Sequence, residues 1–273
     1  DNWGTSGIRF PAAAVETIRE YGAVPFIRMM PRTDLDGPPE QTYTLARIVA
    51  GDFDAKLRDW AMAARDTHTP LMVEFGTEVN GDWFPWNGAW NGGAAGPALF
   101  QRAYRHIVDL FRAAGADNIT WVFHVDAKPS PSAAWNTMAA YYPGDAYVDW
   151  VGLSVYGAQD RGDPWTTFEE VLAPAYRELT SVAPNKPIAV LEFGVTDGVR
   201  GHDKATWISD AFASALSGRF PALKALSYWN ESFEDDDGSK VELSVDSSRT
   251  ALDAYRRSAS NAALVDRVEV RSR

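Results

Sequence analysis

The chain is 273 residues long, with 26 Lys and Arg against 37 Asp and Glu, a formal charge of -11 and no cysteine. A net negative surface repels phosphate backbones and argues against nucleic acid, and the missing thiols exclude disulfides, thiolate catalysis and Cys-ligated metals. No apolar run approaches the roughly 18 residues of a membrane-spanning helix, so no membrane partner is expected.

The chain opens on Asp1 without a basic and then apolar leader, so it reads as processed or trimmed, and secretion is the expectation. Residues 11–21 predict a helix, with Pro11 at its start, Val15, Ile18 and Tyr21 at helical spacing, and Gly22 as the stop. Residues 23–30 are the first of six short, nearly unbroken apolar runs; the others are 70–75, 119–125, 148–155, 187–193 and 223–229. Such runs read as strands buried on both faces. Between the first two, residues 54–65 put Leu57, Trp60 and Ala61 on one helical face. Residues 97–114 follow the second run, align Phe100, Tyr104, Ile107 and Phe111, and stop at Gly115. Residues 167–181, 205–216 and 247–258 repeat the amphipathic plan.

Alternating strand and helix is the signature of a parallel α/β fold. With no linker or repeat in view, one domain over 1–260 is the simplest organisation, with 261–273 a tail or the start of a linker. The stretch 264–270 alternates weakly and could be an extra strand. A (β/α)8 TIM-type barrel fits best, but the runs begin about 40 residues apart on average, and eight such units would need about 320 residues. Either the chain lacks an N-terminal β-α-β segment or the barrel is irregular.

In such barrels chemistry gathers at the C-terminal ends of the strands. Glu192 interrupts the apolar IAVLEFG near its end, and Glu78 follows the second run beside Asn80 and an aromatic loop. Two carboxylates at one mouth suit glycosidic-bond hydrolysis, one protonating the leaving oxygen and the other attacking the anomeric carbon or activating water. The bland alternatives are a structural acid paired to Arg or Lys for Glu192, and a loop carboxylate capping a backbone for Glu78. The 11 Trp, 10 Tyr and 13 Phe supply flat rings for stacking on sugars, though rings also fill cores. His124, at the end of the third run, is expected to line the cleft, whereas His106 reads as a packed helix residue. Arg28, also at a strand end, could pair a catalytic carboxylate or close a core ion pair. No HxH or HExxH spacing is present, so no metal or cofactor is expected. The acidic stretch 231–238 lacks the residues of a calcium loop and reads as a solvated loop.

Several segments carry a family resemblance. FGTEVNGDWFPWNG (75–88) is similar to the acid/base loop of family 26 glycoside hydrolases, and YYPGDAYVDWVGLSVYG (141–157) resembles that family's YYPGD-x-YVDWVG segment. KPIAVLEFG (186–194) resembles its nucleophile strand, and GAVPFIRMMP (22–31) with IVAGDFDAKLRDWA (48–61) resemble its early strand and helix. The resemblance implies a clan-A (β/α)8 barrel that cleaves β-mannan, mixed-linkage β-glucan or β-1,3-xylan with retention. It makes Glu78 the acid/base after the fourth strand and Glu192 the nucleophile after the seventh, so strands 1 and 2 would precede Asp1. It further implies that Tyr156 orients the nucleophile and that Trp229 forms the platform under the sugar. Asn80, Trp83, Phe84 and Trp86 would shape the sites around the scissile bond. Two positions depart from the pattern: the His before the acid/base is Thr77, and the Arg on that strand is Glu74. These changes alter the sugar contact and the local field. The expected partner is a polysaccharide or oligosaccharide, with a monomer the default and further modules in a longer protein. The competing reading is a non-catalytic polysaccharide-binding barrel from the same family. A sugar-unrelated barrel enzyme would want a phosphate-gripping glycine loop that 193–198 does not resemble.

Overall fold

The computed structural model describes residues 2–33, 37–234, 238 and 240–265. In chain order the elements are α1 (Trp3–Ser6), α2 (Ala12–Glu20), β1 (Phe26–Met29), α3 (Leu45–Val49), α4 (Asp54–Asp66), β2 (Leu71–Phe75), α5 (Gly96–Ala113) and β3 (Ile119–Asp126). They continue with α6 (Met138–Tyr141), β4 (Trp150–Tyr156), α7 (Phe168–Val182), β5 (Ile188–Gly194), α8 (Lys204–Ala215), β6 (Leu223–Tyr228), β7 (Ser232–Glu234), β8 (Lys240–Glu242) and α9 (Arg249–Ala259). Each of the six apolar runs becomes a strand and each expected amphipathic segment a helix. This is the β/α alternation of a TIM-type barrel with six parallel strands in place of eight.

The chain packs as two units, Asp1–Val151 and Gly152–Asp266. In the first, β1, β2 and β3 are neighbours in that order and pair in parallel, with Arg28 opposite Glu74 and Glu74 opposite Val122. α5 forms because apolar residues recur at helical spacing behind Pro97, and it ends where Gly115 takes a left-handed φ of 76°. Its buried face carries Phe100, Tyr104, Ile107 and Phe111. Phe111 meets Trp60 of α4 at 5.2 Å and Trp121 of β3 at 5.3 Å, and Trp60 meets Phe10 edge-on at 4.9 Å. Burying each such ring is worth about 1.5–3 kcal/mol.

The aromatic surplus is therefore core before it is cleft. Trp3, Trp60, Trp86, Trp121 and Trp207 are at most 3% exposed, whereas Trp83 and Trp90 are 40% and 47% exposed.

In the second unit β4, which starts at the boundary, β5 and β6 are neighbours in that order. β5 is buried along its whole length, as its unbroken apolar sequence requires. β6 departs from expectation: Lys224, Ala225 and Ser227 are exposed. It is the last strand in the order, so one of its edges lacks a strand neighbour among the described residues. α7 opens with a capping box between Thr167 and Glu170, and α8 with the Asp203 carboxylate accepting from Ala205 N and Thr206 N. The stretch 231–238 is only partly a loop. Ser232–Glu234 is a strand paired antiparallel with Lys240–Glu242, and its described residues are exposed as expected. The possible strand at 264–270 lies outside the described residues beyond Val265.

Candidate active site

In the first unit the chain leaves β2 through Gly76, whose φ is 68°. A Cβ there would lie 2.7 Å from the Phe100 ring and 3.2 Å from Trp86, so the position excludes a side chain on steric as well as conformational grounds. Two residues on, Glu78 itself takes a left-handed φ of 45°. A non-glycine residue holds that conformation only when its surroundings over-determine it, and here they do. The Trp86 indole donates to Thr77 O at 2.7 Å, Asn87 Nδ2 to Val79 O at 2.9 Å, and Asn136 Nδ2 to Asn80 O at 2.8 Å. Backbone bonds from Val79 N to His124 O (3.3 Å) and from Gly81 N to Glu78 O (2.8 Å) complete the strapping. Glu78 is 8% exposed, and its Oε2 accepts the Trp83 indole N–H at 2.8 Å.

Beneath this turn lies a buried ionic cluster on three adjacent strands. Glu74 and His124 have side chains with no exposure to solvent. Arg28 Nε stands 3.1 Å from Glu74 Oε1, and His124 Nδ1 lies 2.7 Å from Glu74 Oε2 and 2.8 Å from Thr77 Oγ1. Burial pushes the Glu74 carboxyl up, but the facing charges of His124 and Arg28 and the hydrogen bonds from His124 and Thr77 outweigh it, leaving the group below its ordinary value. Arg28 thus closes an ion pair with Glu74, one of the two roles the sequence left open. A carboxyl oxygen of Glu78 and a ring nitrogen of His124 lie within 4.8 Å of each other.

In the second unit Glu192 sits two residues before the end of β5 and is 6% exposed. The Tyr156 hydroxyl, at the end of β4, donates to its Oε2 at 2.6 Å. Trp229 follows β6, is half-buried, and donates its backbone N–H to Phe193 O at 3.0 Å.

The remaining expected residues divide by burial. Asn80 has no exposure, and its amide bonds the Asp126 backbone in both directions, Nδ2 to O at 2.8 Å and N to Oδ1 at 2.7 Å. Trp86 is 1% exposed and stacks on Phe84 at 4.5 Å, and Arg32 covers the Phe84 ring at 5.5 Å. Asn80 and Trp86 therefore support the turn instead of offering a surface to a ligand. The exposed rings of this loop are Trp83 and Trp90, the latter fixed by its indole N–H on Asp82 O at 2.7 Å. Sequence reasoning missed Trp90, whose only signal is an aromatic residue within a Gly/Asn-rich loop. It also missed Asn87 and Asn136, because a buried strapping amide looks like any loop asparagine.

The sequence model of glycosyl hydrolase family 26 matches residues 32–200. Endoglucanase H of Acetivibrio thermocellus is 35% identical over 217 residues, 78% of this chain and 23% of that protein. A mannan endo-1,4-beta-mannosidase of Bacillus subtilis is 28% identical over 166 residues, 56% of this chain and 37% of that protein. This chain thus spans between about a quarter and two fifths of these two relatives. Among solved structures, the catalytic domain of an endo-beta-1,4-mannanase from Bacillus sp. JAMB-750 is similar with a TM-score of 0.69 at 18% identity, covering 91% of this chain and 68% of that one. That likeness establishes the barrel fold.

Proposed function

Because the family match spans more than half of its length, the chain belongs to glycosyl hydrolase family 26, and we propose that it is a retaining endo-acting hydrolase of a β-linked polysaccharide. Glu192 is the nucleophile and Glu78 the acid/base. Glu192, ionised, attacks the anomeric carbon while Glu78 protonates the departing oxygen. Glu78 then takes a proton from the water that releases the glycosyl-enzyme. The observation that carries this reading is the matched setting of the two acids. Each is buried at the C-terminal end of a strand and held by one aromatic donor, Trp83 for Glu78 and Tyr156 for Glu192. Tyr156 stabilises the carboxylate and fixes its rotamer, which a nucleophile needs. Trp229 and the exposed Trp83 offer faces to the sugar.

The 35% identity to an endoglucanase, with Thr77 and Glu74 in place of the mannanase pattern, favours a β-glucan over mannan. A polymeric substrate goes with action outside the cell, by a monomeric module of a longer protein.

The test is release of reducing ends from mixed-linkage β-glucan, β-mannan and β-1,3-xylan. Wild type is expected to cut at least one, and Glu192→Ala to cut none. Glu78→Ala is expected to lose about 10²- to 10⁴-fold in kcat on the polymer. Wild-type turnover in either variant contradicts the assignment. A wild type that binds glycan without cutting it points to the binding-barrel alternative.

A further inference from the structure

Arg28, Glu74 and His124 stand on β1, β2 and β3. The register places Arg28 opposite Glu74 and Glu74 opposite Val122, two residues before His124. Because strand residues two apart share a face, the three side chains form one row across the strands. At the end of that row His124 lies within 4.8 Å of Glu78. A carboxylate only accepts hydrogen bonds, so the 2.7 Å contact from Glu74 Oε2 puts the hydrogen on Nδ1 of His124. Thr77 Oγ1, 2.8 Å from the same nitrogen, is a second oxygen on that side of the ring. The imidazole is thereby fixed in orientation, with Nδ1 turned to the two oxygens. Its own backbone carbonyl accepts Val79 N–H, the amide that follows the left-handed Glu78. Ring and carbonyl of one residue therefore bear on the conformation of the acid/base.

We propose that His124 is a positioning residue for Glu78, held with a hydrogen on Nδ1 by the Arg28–Glu74 ion pair and Thr77. The proposal rests on the reading of Glu78 as acid/base. It accounts for two residues, Glu74 and Thr77, that depart from the family pattern together: they are the two oxygens that hold the same nitrogen.

A residue that only supports the fold lowers turnover alike on every substrate. One that aims the proton donor matters in proportion to how much the leaving group needs a proton. The test compares β-glucan with a 2,4-dinitrophenyl β-cellobioside, whose leaving group departs without protonation, for wild type, His124→Asn and Thr77→Val. His124→Asn is expected to lose about 10- to 100-fold in kcat/KM on the polymer, the cost of misplacing a reacting group by about an ångström. On the aryl glycoside the loss in kcat/KM, which reports the glycosylation step alone, is expected to stay under about 3-fold. Thr77→Val keeps the side-chain volume and is expected to show the same contrast at smaller amplitude, which serves if His124→Asn unfolds. Equal losses on the two substrates, or none on the polymer, overturn the proposal while leaving Glu78 as acid/base. A wild type inactive on both overturns the hydrolase reading and this inference with it.

Discussion

A carboxylate with no solvent exposure, such as Glu74, stays charged only where cations face it. Its folded carboxyl lies below the ordinary value of 4.5, so the unfolded chain takes up the proton first as pH falls. The stabilisation is complete above about pH 4.5 and is lost as pH falls through the folded value. Chemical unfolding of wild type is therefore expected to weaken more steeply as pH falls below about 4.5 than that of Glu74→Gln, and parallel slopes would contradict the charged assignment. At neutral pH that substitution is expected to destabilise the fold, because it removes the anion that faces Arg28 and His124. Glu78 and Glu192 are legible in the sequence because an acid at the end of an apolar run has few structural reasons to be there. Which of the loop tryptophans is buried and which exposed is not legible. Trp86 and Trp90 are both loop tryptophans four apart, yet one is 1% and the other 47% exposed. The difference is set by the left-handed turn at Gly76 and Glu78 and by the 3-10 turn Gly88–Trp90, which no periodicity announces.

The long elements were readable because their periods are strong. α5 places Phe100, Tyr104, Ile107 and Phe111 on one face over 18 residues, and β5 is apolar throughout but for Glu192. Phe111 bridges two tryptophans from two different elements. Phe111→Ala is accordingly expected to cost about 3–5 kcal/mol in denaturant unfolding, and a loss under about 1 kcal/mol would mean the contact is dispensable. The elements that were missed are short. α3 has five residues behind a Thr44 cap, α6 has four behind Thr137, and β7 and β8 have three each. A period cannot register in so few positions. β6 lies where its apolar run predicts a strand but is partly exposed, because the sequence shows its apolar residues and not its place at the end of the strand order.

Each of the two units carries one of the proposed catalytic acids, Glu78 in Asp1–Val151 and Glu192 in Gly152–Asp266. The proposed reaction uses both, in a double displacement whose carboxyls need to stand about 5 to 5.5 Å apart. The covalent step distinguishes that chemistry from inversion and from binding alone, and it can be seen directly. The most direct measurement is to incubate the protein with 2,4-dinitrophenyl 2-deoxy-2-fluoro-β-cellobioside, which slows release of the intermediate, and to map the adduct by peptide mass spectrometry. One fluoroglycosyl group per chain, on the peptide carrying Glu192 and absent from Glu192→Ala, is the expected result; a label on any other residue, or cleavage of β-glucan that releases the inverted anomer first, would contradict it.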